Sequence, residues 1–378
     1  MAKYHFEEIA YNSTEKKKPI EEDRFTYLGL EHLDSGSLKV TRFGAEVAPI
    51  GEKLVMHKGD VLFGKRRAYQ KKVAIAPFDG IFSAHGMVLR PREDVIDKDF
   101  FPLFISSDYF LDAAINISVG SLSPTINWRD LRNLEFELPD LKTQRQLAKV
   151  LWVINDTMEA YKELITATDE LVKSQFIEMF GLPGTDPFHW GLSTLDSCCE
   201  LNPRKPRNLD ENLKCSFVAM PSIGTDGRVD ASDVRSYHDV SKGFTYFAEN
   251  DVLFAKITPC MENGKGGVAT GLCNGIGFGT TELYVLRPLE GISDPYWLYT
   301  ITKFNKFRSD AEKVMTGTGG QRRVPISYLK EYQIAVPPID LQQQFAAFVR
   351  QSDKSKFAVQ TALKQNIHRS RHVLMCSI

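Results

Sequence analysis

Residues 138–181 read LPDLKTQRQLAKVLWVINDTMEAYKELITATDELVKSQFIEMFG and contain no proline or glycine between Pro139 and Gly181. Apolar side chains recur in this stretch at alternating intervals of four and three residues, the heptad spacing of a helix seam. They are Leu147, Leu151, Ile154, Met158, Tyr161, Ile165 and Val172. A helix of about 40 residues is roughly 60 Å long and cannot cover such a seam by itself. The stretch therefore predicts one long helix packed along a second helix.

The end of the chain predicts that second helix. Residues 336–342, VPPIDLQ, restate residues 138–144, LPDLKTQ, at a distance of 198 residues. The heptad phase then continues through Val349, Val359 and Leu363, with polar interruptions. We therefore expect the two helices to pair as an antiparallel coiled coil, in which the second helix contributes the weaker seam.

The stretches that precede the two helices also repeat one another. The sequence VLF occurs at 61–63 and 252–254, and VLRP occurs at 88–91 and 285–288. A period near 200 residues is too long for a solenoid, so it indicates one unit used twice. Short apolar runs between glycine and proline turns predict strands in both copies.

The predicted fold class is α/β (α+β), with two similar mixed α/β domains, each followed by a long helix. Within the domains we expect a strand at 25–30 and helical segments at 97–117 and 296–315. The predicted segments are a first globular domain at 1–137, a central helix at 138–181, a second globular domain at 182–335 and a C-terminal helix at 336–378.

The bulk composition sets limits on the class of protein. A net charge of −1 and a pI near 6.7 show no overall basic excess, so nucleic-acid binding would have to depend on local clusters. No apolar run is long enough for a membrane span, and the first residues lack the apolar core of a signal peptide. The six cysteines show no C-x-x-C spacing, which argues against a zinc site or a disulfide framework. We expect a reduced, cytoplasmic setting.

Four basic clusters are candidates for DNA contact, because lysine and arginine neutralise phosphates and arginine can also bind guanine O6 and N7. Each could instead be an ordinary solvated loop. The strongest is the run after the VLF strand of the first domain. The second lies after the equivalent strand of the second domain, the third within a proline-rich loop, and the fourth after a glycine-rich turn. The candidates are Lys65, Arg66, Arg67, Tyr69, Lys71 and Lys72; Lys256, Thr258 and Lys265; Arg204, Lys205 and Arg207; and Arg322 and Arg323.

Catalytic motifs are missing from the sequence. Residues 59–66, GDVLFGKR, fit G-x-x-x-x-G-K, but Arg66 stands where a phosphate-binding loop needs serine or threonine, and the middle of the segment is strand-like. We find no amino-methyltransferase motif, no common nuclease signature and no paired-histidine metal motif. The chain is therefore predicted to be a non-catalytic recognition protein with no metal and no cofactor of its own.

The twofold order of these motifs resembles the specificity subunit of type I restriction–modification systems, and the resemblance covers essentially the whole chain. The chain departs from the usual pattern at Thr143 and Leu341, where an acidic residue often precedes the glutamine. The resemblance implies that the two globular domains are target-recognition domains, each of which reads half of a bipartite site in double-stranded DNA, with the spacing set by the helices. It also implies docking of two modification subunits, which bind S-adenosylmethionine and methylate adenine, and of restriction subunits.

Two other functions stay open at this point. One is a coiled-coil scaffold that binds only protein. A DNA affinity that falls steeply as the salt concentration rises would argue against it. A nuclease with an unfamiliar active site would cut DNA without partners.

Overall fold

The computed structural model describes residues 1–318 and 320–375 of the chain; the end of the predicted C-terminal helix, 376–378, lies outside the described residues. The structure divides into two units, one formed by residues 1–164 with the chain from Val359 onward and the other by residues 165–358. Each unit therefore contains one globular region and parts of both long helices.

The first unit contains two four-stranded sheets and a two-stranded ribbon. The strands are β1 (Ala2–His5), β2 (Ala10–Ser13), β3 (Lys16–Lys17), β4 (Tyr27–Leu28), β5 (Lys53–Met56), β6 (Val61–Phe63), β7 (Val73–Ile75), β8 (Gly80–Phe82), β9 (Met87–Pro91) and β10 (Glu135–Leu138). The ribbon pairs β1 with β10, and the sheets have the orders β2-β9-β6-β7 and β3-β5-β8-β4.

The helices of the first unit correct one feature of the prediction. They are α1 (Phe6–Ile9), α2 (Phe101–Ile105), α3 (Asp108–Asn116), α4 (Trp128–Leu131) and the long α5 (Leu141–Phe180). The segment predicted as helical at 97–117 is two helices, because the Ser107 hydroxyl accepts a hydrogen bond from the Phe110 amide and starts a new helix.

The strand predicted at 25–30 is mostly wrong. A 3₁₀ helix occupies Glu21–Thr26, and only Tyr27–Leu28 joins a sheet. The buried Asp23 carboxylate accepts from the Ile20 amide and from Lys17, and this local bonding favours a turn over an extended strand.

The strands of the second unit are β11 (Leu192–Thr194), β12 (Cys199–Leu201), β13 (Lys214–Val218), β14 (Val234–Ser236), β15 (Thr245–Ala248), β16 (Val252–Ala255), β17 (Gly266–Val268), β18 (Ile276–Gly279), β19 (Leu283–Pro288) and β20 (Gln333–Ala335). They form a β11-β20 ribbon and sheets of order β12-β19-β16-β17 and β14-β13-β18-β15. The ribbon, the first of these sheets and three strands of the other match the first unit; the fourth strand differs, because β3 pairs with β5 whereas β14 pairs with β13. This correspondence confirms the duplication inferred from the sequence.

The helices of the second unit are α6 (Tyr237–Val240), α7 (Pro295–Lys303), α8 (Asn305–Lys313), α9 (Ile326–Glu331) and the long α10 (Ile339–Met375), which begins in this unit. The helices from α7 to α10 repeat those from α2 to α5, whereas α6 lies between β14 and β15 and does not correspond to α1. The predicted helix at 296–315 is interrupted at Phe304, whose extended backbone (φ −66°, ψ 135°) separates α7 from α8.

Both long helices begin with a buried glutamine that bonds to its own domain. Gln144 accepts from the Asp97 amide at 2.8 Å and donates to the carbonyl oxygens of Val95 and Pro139. Gln342 does the same in the second unit, with the Asp294 amide and two carbonyl oxygens. The repeated glutamine of the sequence motif is therefore the residue that fixes the start of each helix to the globular region before it.

Within the second unit the two long helices run in opposite directions. Phe345, near the start of α10, packs against Phe176 near the end of α5, with ring centroids 5.4 Å apart. Further along α10, Lys356 bonds to Asp169, which lies earlier on α5, at 2.7 Å. The predicted antiparallel direction is confirmed at these contacts, and coiled-coil pairing along the whole seam stays a prediction.

Candidate nucleic-acid interface

Lys65 and Lys256 occupy equivalent positions in the two units. Each follows the central VLF strand, β6 or β16, and its carbonyl oxygen accepts a backbone hydrogen bond from Ile126 or Val324. Both side chains are half-buried, and burial lowers the pKa of each ammonium. Equivalent strands therefore deliver a partly desolvated cation to the same edge of each domain.

The first unit adds two exposed arginines next to Lys65. Arg66 Nε donates to the Ser123 hydroxyl at 3.0 Å, and its Nη1 lies 3.3 Å from His85 Nε2. Arg67 has a left-handed backbone (φ 54°), and its amide donates to the Pro124 carbonyl oxygen at 2.7 Å. The loop that carries the arginines is thus tied to the loop at 123–126, while the guanidinium groups face solvent.

Of the three remaining candidates in this cluster, the two lysines are bonded within the protein. Lys71 Nζ donates to Asp108 and Asp112 at 2.7 Å each, and although burial lowers the pKa of Lys71, these bonds raise it overall. Lys72 donates to the Leu30 carbonyl oxygen at 2.6 Å. Tyr69 is 56% exposed and accessible to a ligand.

In the second unit, three candidates near the end of β16 already have polar or aromatic partners. Lys256 Nζ lies 4.7 Å from the centroid of the Tyr284 ring. The Thr258 hydroxyl donates to Glu262 at 2.8 Å, and Lys265 donates to the Met220 carbonyl oxygen at 2.9 Å.

Arg322 and Arg323 lie beside carboxylates that sequence reasoning missed. Arg323 donates two hydrogen bonds to Glu282, at 2.7 and 2.8 Å, and this bonding lowers the pKa of the Glu282 carboxyl. Arg322 has longer ion pairs, with Glu312 at 3.7 Å and with Glu262 at 3.9 Å. Glu282 and Arg323 are 41 residues apart, so no local sequence signal indicated the pair.

The proline-rich loop places its three candidates at the surface. Arg204, Lys205 and Arg207 are exposed. Lys205 donates to the Ser241 carbonyl oxygen at 2.7 Å and lies 5.4 Å from the centroid of the Tyr237 ring.

The seam residues lie at positions that are at least half-buried. Leu151 is 1% exposed in the core of the first unit and Val349 is 5% exposed in the core of the second, so both attach a long helix to a globular region. Leu147 and Val172 pack against the same two cores. The remaining seam candidates are half-buried: Ile154, Met158, Tyr161, Ile165, Val359 and Leu363.

A second apolar face of α5 is exposed. Val150, Val153 and Leu164 are 51%, 66% and 50% exposed. Intervals of three and eleven residues return to nearly the same side of a helix, so these side chains form a stripe beside the seam. These three residues fall outside the heptad positions of the seam, so the seam pattern did not predict the stripe. The apolar residues at neighbouring heptad positions are the sequence signal that indicates it.

In the described part of the chain, no group of three histidine, cysteine, aspartate or glutamate side chains is placed to hold a metal ion. None of the helices among the described residues is both long and apolar enough to cross a bilayer.

The structure thus defines a duplicated protein, in which one mixed α/β domain occurs twice and each copy presents basic side chains after its central strand. The sequence model described as the type I restriction modification DNA specificity domain matches residues 16–167 and 187–369. The chain belongs to that family.

Individual relatives agree with this assignment. The chain is 40% identical over 161 residues to the type I restriction enzyme EcoAI specificity subunit of Escherichia coli, and 40% identical over 154 residues to the EcoEI specificity subunit. These matches cover 42% and 40% of this chain but only 27% and 26% of the relatives, so the chain matches about a quarter of their length. The crystal structure of the type I restriction-modification system S subunit from M. genitalium has a similar fold, with a TM-score of 0.52, 14% identity, and 99% of this chain and 94% of that chain covered.

Proposed function

We propose that this chain is the sequence-specific DNA-binding specificity subunit of a type I restriction–modification complex. Each globular region would read one half of a bipartite target in double-stranded DNA, and the paired helices would set the spacing. The observation that carries the proposal is the duplication, because the same domain occurs twice with the same glutamine attachment to a long helix. Two copies with different surface loops suit a split, asymmetric target.

The chemistry would be supplied by partner subunits in the cytoplasm. We propose that two modification subunits, which bind S-adenosylmethionine and methylate adenine, dock on the long helices and that restriction subunits join the same complex. The exposed stripe of Val150, Val153 and Leu164 supports a helix-docking role, since an apolar face on a long helix suits packing against another helix.

Methylation mapping tests the proposed function. The chain is co-expressed with candidate modification subunits, and methyladenine is mapped across the host DNA. A split motif with a fixed gap, absent when this chain is omitted, is the expected result. If no such motif appears and the purified chain also fails to bind duplex DNA, the proposal is wrong and the scaffold function takes its place.

The docking surface has a separate test. The variant Val150→Asp/Val153→Asp places two carboxylates on the stripe, and we expect it to lose co-purification with the modification subunits. The variant Val150→Ile/Val153→Ile keeps the face apolar and should retain co-purification. Equal recovery of the partner with both variants would show that docking occurs elsewhere.

A further inference from the structure

The two basic surfaces differ in their carboxylates. The first basic surface consists of Lys16, Lys65, Arg66 and Arg67. Among the described residues none of these four has a carboxylate within ion-pair distance. Lys16 lies close enough to Lys65 to lower its pKa further by charge repulsion, after the larger effect of burial. Like charges are therefore concentrated here without compensation.

The second basic surface consists of Lys256, Arg322 and Arg323, which are equivalent to Lys65 and to the loop at 123–126 of the first unit. Here the two arginines are paired with Glu282, Glu262 and Glu312. The backbone pairing Ile257–Arg323 corresponds to Arg66–Thr125 of the first unit. The backbone pairing next to the surface is thus the same in both units, but only the second surface has carboxylates paired with its arginines.

This difference changes what a phosphate group gains at each surface. At the first surface a phosphate meets cations that have no competing internal anion, so its binding releases DNA counterions at no cost in protein ion pairs. At the second surface a phosphate must compete with Glu282 for Arg323 and is repelled by the three nearby carboxylates.

We infer that the two equivalent basic surfaces contribute unequally to DNA binding: the first surface supplies most of the salt-dependent phosphate affinity of the pair, and the glutamate-compensated second surface supplies little of it. This inference depends on the proposed function and identifies how that function is divided. The paired side chains of the second surface suit base edges better than phosphates, since a glutamate can accept from the cytosine amino group while an arginine donates to guanine.

The salt dependence of binding tests the inference. The full-length chain is titrated against a fluorescein-labelled 40-base-pair duplex of mixed sequence, and anisotropy gives the affinity over a series of sodium chloride concentrations. Each neutralised phosphate contributes about 0.9 to the slope of log affinity against log salt. We expect Arg66→Ala/Arg67→Ala to reduce the slope by about 1.8 and Arg322→Ala/Arg323→Ala to reduce it by less than about 0.9.

Two further variants make the test specific. Lys17→Ala/Lys39→Ala removes two cations of the first unit that are already paired, with Asp23 and Glu163, and should leave the slope unchanged. Glu282→Gln removes the partner of Arg323 and should increase the slope, by up to about 0.9.

The outcomes separate the inference from the proposed function. Equal loss of slope in the two arginine double variants, or an unchanged slope in Glu282→Gln, would overturn the unequal division while leaving DNA binding established. A wild-type chain that does not bind the duplex even at low salt would overturn the inference, and together with the absence of a split methylation motif it would overturn the proposed function.

Discussion

The glutamine at the start of each long helix gives the sharpest prediction about how the chain is held together. Gln342 is completely buried, and its amide makes three hydrogen bonds: it accepts from the Asp294 amide at 2.9 Å and donates to the carbonyl oxygens of Ile292 at 2.9 Å and Pro337 at 2.8 Å. The substitution Gln342→Ala leaves three backbone groups without this partner. At about 1 kcal/mol for each bond, the local loss is roughly 3 kcal/mol.

Hydrogen–deuterium exchange can measure this loss segment by segment. Because about 1.4 kcal/mol corresponds to a factor of ten, the amides at 290–298 should exchange roughly 100-fold faster in Gln342→Ala. The exposed neighbour supplies a matched control, since Gln343→Ala should leave the same amides unchanged. Gln144→Ala should act in the same way on the amides at 93–100 of the first unit. Equal exchange in Gln342→Ala and Gln343→Ala would refute the attachment role.

Three further predictions concern ion pairs of the second unit. The substitution Asp251→Ala removes a carboxylate that is 1% exposed and held by a bidentate arginine, so we expect a loss of about 3 kcal/mol in urea unfolding. The substitution Asp169→Ala leaves the ammonium of Lys356, which is 5% exposed, without its carboxylate partner. It should therefore destabilise the chain by more than Lys356→Met, because the latter removes the buried charge itself. The opposite order of stabilities in urea unfolding would contradict this prediction. The pKa of Glu282 is lowered by its arginine partner, so this pair stabilises the fold at neutral pH. That contribution is lost as the pH falls through the folded-state pKa of Glu282. Between pH 7 and 3 the melting temperature of Glu282→Gln should therefore fall less than that of the wild type.

The fold was predictable where the sequence signal was local and repeated. The absence of glycine and proline between Pro139 and Gly181 corresponds to the helix Leu141–Phe180, and Gly181 follows it with a left-handed backbone (φ 77°) that suits glycine. The predicted helices at 97–117 and 296–315 were each interrupted, because a serine cap and one extended residue, Phe304, restart the helix without a glycine or proline to signal it.

The candidate site was predictable only as a set of residue types. The sequence identified Lys65 and Lys256 as cations after equivalent strands, and the structure places both there. It could not distinguish Arg66, which has no carboxylate partner among the described residues, from Lys71, which has two. The aspartates that bind Lys71 lie 37 and 41 residues further along the chain.

The sequence by itself determined that this protein is a duplicated unit with a long helix after each copy, because heptad spacing and repeated motifs are one-dimensional properties. The tertiary structure alone decided which cations are exposed without a carboxylate partner and which are paired, since the carboxylates that neutralise a cation come from segments that the fold brings within a few ångströms of it. Arg323 and Glu282 show the reason most clearly: neither residue is unusual in its own segment, and their bidentate bond exists only because two distant segments meet beside β16.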